Sequence, residues 1–103
     1  MNIQKMMKQM QKAQAQMASV QEELAQKTVD ATAGGGMVKV VVTGDGMLRS
    51  LTIDPEVVDP EDVDMLQDLV LAAVNEGKRR AADLASAEMQ KAAGAMGLPP
   101  GMI

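Results

Sequence analysis

Three kinds of side chain are missing from this chain of 103 residues: it has no cysteine, no histidine and no aromatic residue. Without cysteine there is no disulfide framework and no thiolate nucleophile. Without histidine as well, Ser-His and Cys-His catalysis and the usual zinc ligands are unavailable. Without Phe, Tyr or Trp, nucleobases cannot be stacked on aromatic rings as they are in RRM and OB folds. We therefore expect a protein that is not an enzyme and holds neither a cofactor nor a metal.

Long apolar runs are missing too. No run approaches the roughly 18 residues of a membrane span. The first ten residues carry Lys5 and Lys8 and lack the apolar core of a signal peptide. The sequence thus predicts a soluble intracellular protein, and its length predicts a single domain.

Charge is present but unevenly placed along the chain. The formal net charge is −4, from 10 basic and 14 acidic side chains. Residues 1–21 contain three lysines and no acid, whereas residues 54–68 contain seven carboxylates and no base. A uniformly acidic surface would repel nucleic acid, but a polarised one can still present a cationic end.

The first segment has the apolar spacing of a long helix. Apolar residues recur in an a/d heptad pattern over three repeats, with no Gly or Pro before position 34. The pattern predicts a helix over residues 2–27, about 38 Å long. Its apolar stripe consists of Ile3, Met6, Met10, Ala13, Met17, Val20 and Leu24.

The middle of the chain changes to the period of a β-strand. Residues 37–43 are rich in β-branched side chains, which predicts a strand. This strand ends at the turn Gly44-Asp45-Gly46, and a return strand is predicted over residues 47–53. Residues 28–33 predict a weaker strand, joined to the next by three glycines. Because residues 37–43 look apolar on both sides, we expect both faces of the sheet to be covered.

A second long helix is predicted from Asp59-Pro60, with Asp59 as N-cap and Pro60 at the first helical position, to about Ala93. Gly77 interrupts its apolar face, which indicates a close packing point. The chain therefore predicts an α+β fold of topology α-β-β-β-α, a small antiparallel sheet flanked by two long helices. Residues 1–96 form the domain, and residues 97–103 are expected to be a flexible tail.

Two such helices exceed the dimensions of a compact domain of this size, so we expect them to project from a symmetric homodimer as arms. Core or dimer positions are expected on the strands and on the apolar face of the second helix. They are Val38, Val40, Val42, Leu51, Ile53, Leu66 and Val70.

Two motifs are better explained by structure than by ligands. The carboxylates of residues 54–68 do not match a calcium loop, because a loop starting at Asp59 would have Asp64 where glycine is required. Helix capping and a solvent-exposed face account for these carboxylates. The triplet at residues 34–36 leads into a strand, and Gly77-Lys78 lies within a helix, so neither glycine motif fits a phosphate-binding loop.

The basic residues fit phosphate contacts better. The three N-terminal lysines lie at i, i+3 and i+7 on one helical face, opposite the apolar stripe, and have no acidic i±4 partner. A solvated face would explain them equally well on composition alone, but a purely solubilising face usually mixes signs. Lys5, Lys8 and Lys12 are the primary predicted DNA contacts. The secondary ones are Lys78, Arg79, Arg80 and Lys91.

The central run GGGMVKVVVTGDG, residues 34–46, resembles the sheet signature of the YbaB/EbfC family of bacterial nucleoid-associated proteins. The runs LTIDPEVVD at residues 51–59 and LQDLVLAAVN at residues 66–75 fit the same pattern, as do Asp62 and the ending Gly97-Leu98-Pro99. The resemblance covers nearly the whole chain.

This resemblance implies a tweezer-like homodimer, a place in the cytoplasm on the nucleoid, and binding of double-stranded DNA without enzymatic activity or a small-molecule substrate. We expect binding through backbone electrostatics with little sequence specificity, which could bridge or compact DNA. The alternative is a prefoldin-like holdase or coiled-coil adaptor, in which the Met-rich arm holds client proteins.

Overall fold

The computed structural model describes residues 2–95 and residue 97. Its elements are α1 (Ile3–Gln26), β1 (Thr28–Ala33), β2 (Val38–Thr43), β3 (Leu48–Ile53) and α2 (Val63–Ala95), with a single 3₁₀ turn at Pro55–Val57. The predicted α-β-β-β-α topology is confirmed. The expected tail lies outside the described residues except for Gly97. No helix in the described part of the chain is both long enough and apolar enough to cross a membrane.

The three strands form one antiparallel sheet in the order β1-β2-β3. Val40 lies between Ala31 on β1 and Leu51 on β3, so these three side chains lie on the same face. The turn before β2 needs glycine, because Gly34, Gly35 and Gly36 all have positive φ. The sequence signals for this hairpin are therefore confirmed.

The core lies between α2 and the first two strands. Val38, Val40 and Val42 of β2 are completely buried under α2. The helix presents small residues to them, and a Cβ on Gly77 would lie 2.8 Å from the Cγ2 atoms of both Val40 and Val42. Gly77 is therefore the close packing point that the sequence predicted.

In the single chain α2 covers one face of the sheet, and the opposite face is mostly exposed. The expectation that both faces are covered stays a prediction for the dimer. The face away from α2 carries Thr28, Asp30, Thr32, Lys39 and Thr52, all exposed, and the Lys39 amine lies 3.5 Å from Asp30. Only Val41 is apolar and half-buried in the middle of that face. The β2 sequence looked apolar on both faces because Val41, which lies on the outer face, stands between the core residues Val40 and Val42.

The predicted start of the second helix was also wrong. The Asp59 carboxylate accepts a hydrogen bond from the Glu61 amide at 2.9 Å, which makes a local turn. The helix begins at Val63, where the Asp62 carboxylate accepts from the Met65 amide at 3.2 Å. Asp62 is therefore the N-cap, and Pro60 lies outside the helix. The helix ends at Ala95, two residues beyond the predicted end.

The predicted core or dimer positions divide into three groups, of which the first is the fully buried set Val38, Val40 and Val42. Ile53, Leu66 and Val70 pack against the buried valines at partial exposure. Leu51 does not belong to the core, since it is 42% exposed although it shares a face with Val40. The reason is geometric: α2 lies over β1 and β2 and leaves β3 almost uncovered.

The molecule is elongated, with a radius of gyration of 19.3 Å and principal extents of 71 × 22 × 16 Å. A compact chain of about 100 residues would have a radius of gyration of about 13 Å. Because α2 spans about 50 Å at 1.5 Å per residue, α1 must extend away from the sheet along the long axis. The predicted overhang of the helices is confirmed for the single chain.

Candidate nucleic-acid interface

The most exposed basic surface is the first part of α1. Within this helix only Val20 and Leu24 are buried. We call residues 3–19, which precede them, the arm. Lys5, Lys8 and Lys12 are all exposed on it, and no carboxylate of the described residues lies within 4 Å of them. The arm is therefore a helical surface with three uncompensated positive charges.

The arm is anchored where α1 meets the sheet and α2. Leu24 is 1% exposed and packs in a cluster with Val20 and Ala92. The Gly44 amide donates to the Lys27 carbonyl at 2.9 Å. At the same point Lys27 Nζ lies 2.5 Å from Glu88 Oε1, and this hydrogen bond lowers the pKa of the Glu88 carboxyl. These contacts fix the direction in which the arm leaves the body.

The basic residues of α2 are in different surroundings. Lys78 is exposed, and its Nζ donates to the Gly46 carbonyl in the β2–β3 turn at 3.4 Å, with no carboxylate of the described residues within 4 Å. Lys91 is exposed near the end of α2 and has no carboxylate within 4 Å among the described residues. Both amines are open to an anion.

Arg79 and Arg80 are instead held by carboxylates of their own helix. Arg79 Nη2 donates to Glu76 Oε1 at 2.6 Å, and Arg79 Nη1 donates to Asp83 Oδ2 at 3.0 Å. Arg80 Nε donates to the same Glu76 oxygen at 3.1 Å. We call these four residues the Glu76 cluster. Its two positive and two negative charges cancel.

The cluster also reaches the sheet. Arg80 Nη1 donates to the Asp30 carbonyl of the edge strand β1 at 2.8 Å. Hydrogen bonds from Arg79 and then Arg80 lower the pKa of the Glu76 carboxyl to about 2. Glu76 therefore stays ionised throughout the neutral range and keeps both arginines paired.

One exposed cation that has no ion pair among the described residues was missed by the sequence analysis. Arg49 lies on β3 beside the irregularity opposite Val41 and Val42, where Val42 pairs with Leu48. Within the described ranges, no carboxylate lies within 4 Å of its guanidinium. A search for clusters of like charge cannot find it, because it stands alone in its strand.

Of the seven carboxylates of residues 54–68, three accept hydrogen bonds from nearby backbone amides, and the other four are exposed to solvent. Asp54 accepts from the Glu56 amide at 2.9 Å, in the same way that Asp59 and Asp62 accept from amides two and three residues on. In the part of the chain that the structure describes, no group of three or more carboxylates is placed to hold a metal ion. Because α1 packs on the C-terminal half of α2, around Met89 and Ala92, the residues that precede or begin α2 lie away from the arm.

An open cleft of about 610 Å³ lies between the end of α1 and the β2–β3 turn. Its polar groups are partly satisfied within the turn itself, since the Thr43 hydroxyl donates to Asp45 and accepts from the Met47 amide. The lining residues are Ala25, Gln26, Thr43, Asp45, Met47, Leu48 and Arg49. With one carboxylate and one guanidinium, the cleft offers no convergent set of groups for a cofactor.

The fold and its charges are those of an elongated α+β protein with a cationic helical arm. Comparison with known proteins identifies its family. The chain matches the YbaB/EbfC DNA-binding family over residues 1–96 and belongs to that family. The family resemblance of the sequence is thus confirmed.

The relatives are similar along their whole length. A nucleoid-associated protein of Acetivibrio thermocellus is 55% identical over 98% of this chain and 89% of its own. One from Moorella thermoacetica is 56% identical over 95% of this chain and 94% of its own. One from Akkermansia muciniphila is 48% identical over 99% and 98%.

The fold has also been seen in a crystal structure. An uncharacterized protein from Helicobacter pylori superposes with a TM-score of 0.73 over 81% of this chain and 87% of its own, at 24% sequence identity. At that identity the likeness supports the α-β-β-β-α fold and nothing further.

Proposed function

We propose that this protein binds double-stranded DNA on the nucleoid, in the cytoplasm, through the arm and with little sequence specificity. The single observation that carries the proposal is the arm itself, on which Lys5, Lys8 and Lys12 are exposed and have no carboxylate of the described residues within 4 Å. Family membership and the names of the relatives support DNA as the partner. The exposed amines of Lys78 and Lys91 are secondary contacts.

The distribution of charge makes binding compatible with an acidic chain. Phosphate attracts the end that carries the arm, while the carboxylates of residues 54–68 repel DNA from the other end. Lysine amines act as point charges on phosphate oxygens and carry no information about base sequence. Binding is therefore directed to the backbone, and sequence preference is weak.

A homodimer would place two arms on one DNA molecule or on two. The surface best suited to self-association is the uncovered side of β3 together with the neighbouring side of α2. There Leu48 and Leu51 are each 42% exposed, and Leu71 is 61% exposed. Leu71 lies two helical turns before Lys78, whose amine contacts the β2–β3 turn, so it lies on the side of α2 nearest β3. A second copy would cover this apolar surface, and paired arms could then bridge or compact DNA.

Leu51→Glu is expected to convert the dimer to a monomer, because it puts a charge into the proposed interface. The matched control is Thr52→Glu, which adds the same charge to the next residue of β3 on the opposite, polar face. Light scattering after size-exclusion chromatography measures both masses. A monomeric wild-type protein, or equal masses for the two variants, would contradict this interface.

The DNA proposal is tested by retention of a duplex across a salt series. If six phosphates are neutralised by two arms, log K falls with log salt at a slope of about −5.

The second candidate function, a holdase, is favoured by the exposed arm methionines Met6, Met7 and Met10. Suppression of a model client's aggregation is measured in the same salt series. Client protection that is insensitive to salt, with no retention of DNA, would replace the first candidate by the second.

A further inference from the structure

We infer that Glu76 limits DNA affinity by occupying arginines that would otherwise bind phosphate. This inference rests on the proposed function and adds a residue that weakens DNA binding. One carboxylate, on Glu76, accepts hydrogen bonds from two guanidinium groups, those of Arg79 and Arg80. A guanidinium can pair with a carboxylate or with a phosphate through the same donors, so the two anions compete.

The exposure of the cluster makes that competition possible. The Arg79 and Arg80 side chains are 61% and 52% exposed, and the Glu76 side chain is 34% exposed. Phosphate oxygens can therefore reach both guanidinium groups. Exposed ion pairs of this kind are weak, so an incoming phosphate can displace a carboxylate at small cost. What it cannot remove is the fixed negative charge of Glu76, which stays beside the phosphate and repels it.

The two arginines keep different hydrogen-bond partners in the Glu76→Gln variant, in which residue 76 carries no charge. Arg79 still has Asp83 as a partner, at 3.0 Å. Arg80 loses the only carboxylate within 4 Å of it among the described residues and keeps the neutral Asp30 carbonyl. Arg80 is therefore the group that Glu76→Gln would release.

The test measures DNA affinity across a salt series for four full-length proteins: wild type, Glu76→Gln, Asp68→Asn and the double variant Glu76→Gln with Arg80→Gln. Asp68→Asn is the charge control, since it removes one exposed carboxylate of α2 that has no cation within 4 Å in the described chain. Glu76→Gln is expected to bind at least ~5-fold more tightly than this control. Its log K should fall with log salt more steeply by about 0.9 for each protomer bound.

The double variant decides whether Arg80 is responsible. Its salt slope should return to that of wild type, with circular dichroism checking that the fold is retained. If Glu76→Gln and Asp68→Asn gain equally, the effect is one of net charge and the inference is overturned. If the double variant keeps the steeper slope, Arg80 is not the released group and the inference is likewise overturned.

A second readout separates this inference from the proposed function. Pyrophosphate is titrated into the protein while the arginine Nε–H signals are followed by NMR. A shift of the Arg80 signal that saturates at a lower pyrophosphate concentration in Glu76→Gln than in wild type supports the competition. This holds even if the wild-type protein fails to retain DNA, a result that would overturn the proposed function alone. No shift in either protein overturns the competition and leaves DNA binding by the arm unaffected.

Discussion

Replacing Lys5, Lys8 and Lys12 together with glutamine is expected to lower the affinity for duplex DNA by about 100-fold or more at 0.1 M salt. Each lost phosphate contact flattens the dependence of log K on log salt by about 0.9, so three contacts flatten it by about 2.7 for each arm. The reason is that no carboxylate of the described residues compensates these amines. Their charge is available to DNA in full.

The matched control removes the same number of positive charges from residues that are already paired. Lys39, Arg79 and Arg80 each lie within 4 Å of a carboxylate. Their triple glutamine variant has the same net charge as the arm variant and is expected to lose much less affinity. Gel shifts and salt titrations on both proteins, at equal protomer concentration, give the comparison. Equal losses would mean that net charge alone controls binding and that the arm has no special role.

Gly44→Ala is expected to destabilise the protein by about 1–3 kcal/mol, the usual cost of overpacking a buried site. A Cβ on this buried glycine would lie 2.7 Å from the Leu24 carbonyl oxygen and 2.9 Å from Leu24 Cδ2. Because the nearest atom belongs to the backbone of α1, the clash cannot be relieved by a side-chain rotation. The last turn of α1 must move away from the sheet.

The control for this substitution is Gly94→Ala, which adds the same methyl group in open space on the surface of α2. It is expected to stabilise the protein by up to ~1 kcal/mol through helix propensity. Urea unfolding at equal protomer concentration measures both changes. Hydrogen exchange should also be faster in Gly44→Ala for the amides of residues 20–26. A stability of Gly44→Ala equal to that of wild type would show that α1 is not anchored at this glycine.

The order and type of the secondary structure elements were predictable because their signals are local. The a/d stripe of α1, the glycine turns around β2 and the apolar face of α2 depend only on residues close in sequence. The start of α2 was predicted less well, since Asp59 and Asp62 are both able to cap a helix. Only the hydrogen bond from the Met65 amide identifies Asp62 as the cap.

The set of charges and the faces of single elements can be identified from the sequence alone: an arm with three lysines and no acid, an acidic segment, and three core valines on β2. Which of these groups meet depends on how the elements pack. The tertiary structure left Leu51 exposed because α2 crosses β1 and β2 and not β3. It also made Arg79 and Arg80, which look in sequence like free cations, partners of Glu76, whereas no carboxylate in the described part of the chain lies within 4 Å of the arm lysines. The physical reason is that charge is a property of one residue, whereas exposure and pairing depend on distances between elements that are far apart along the chain.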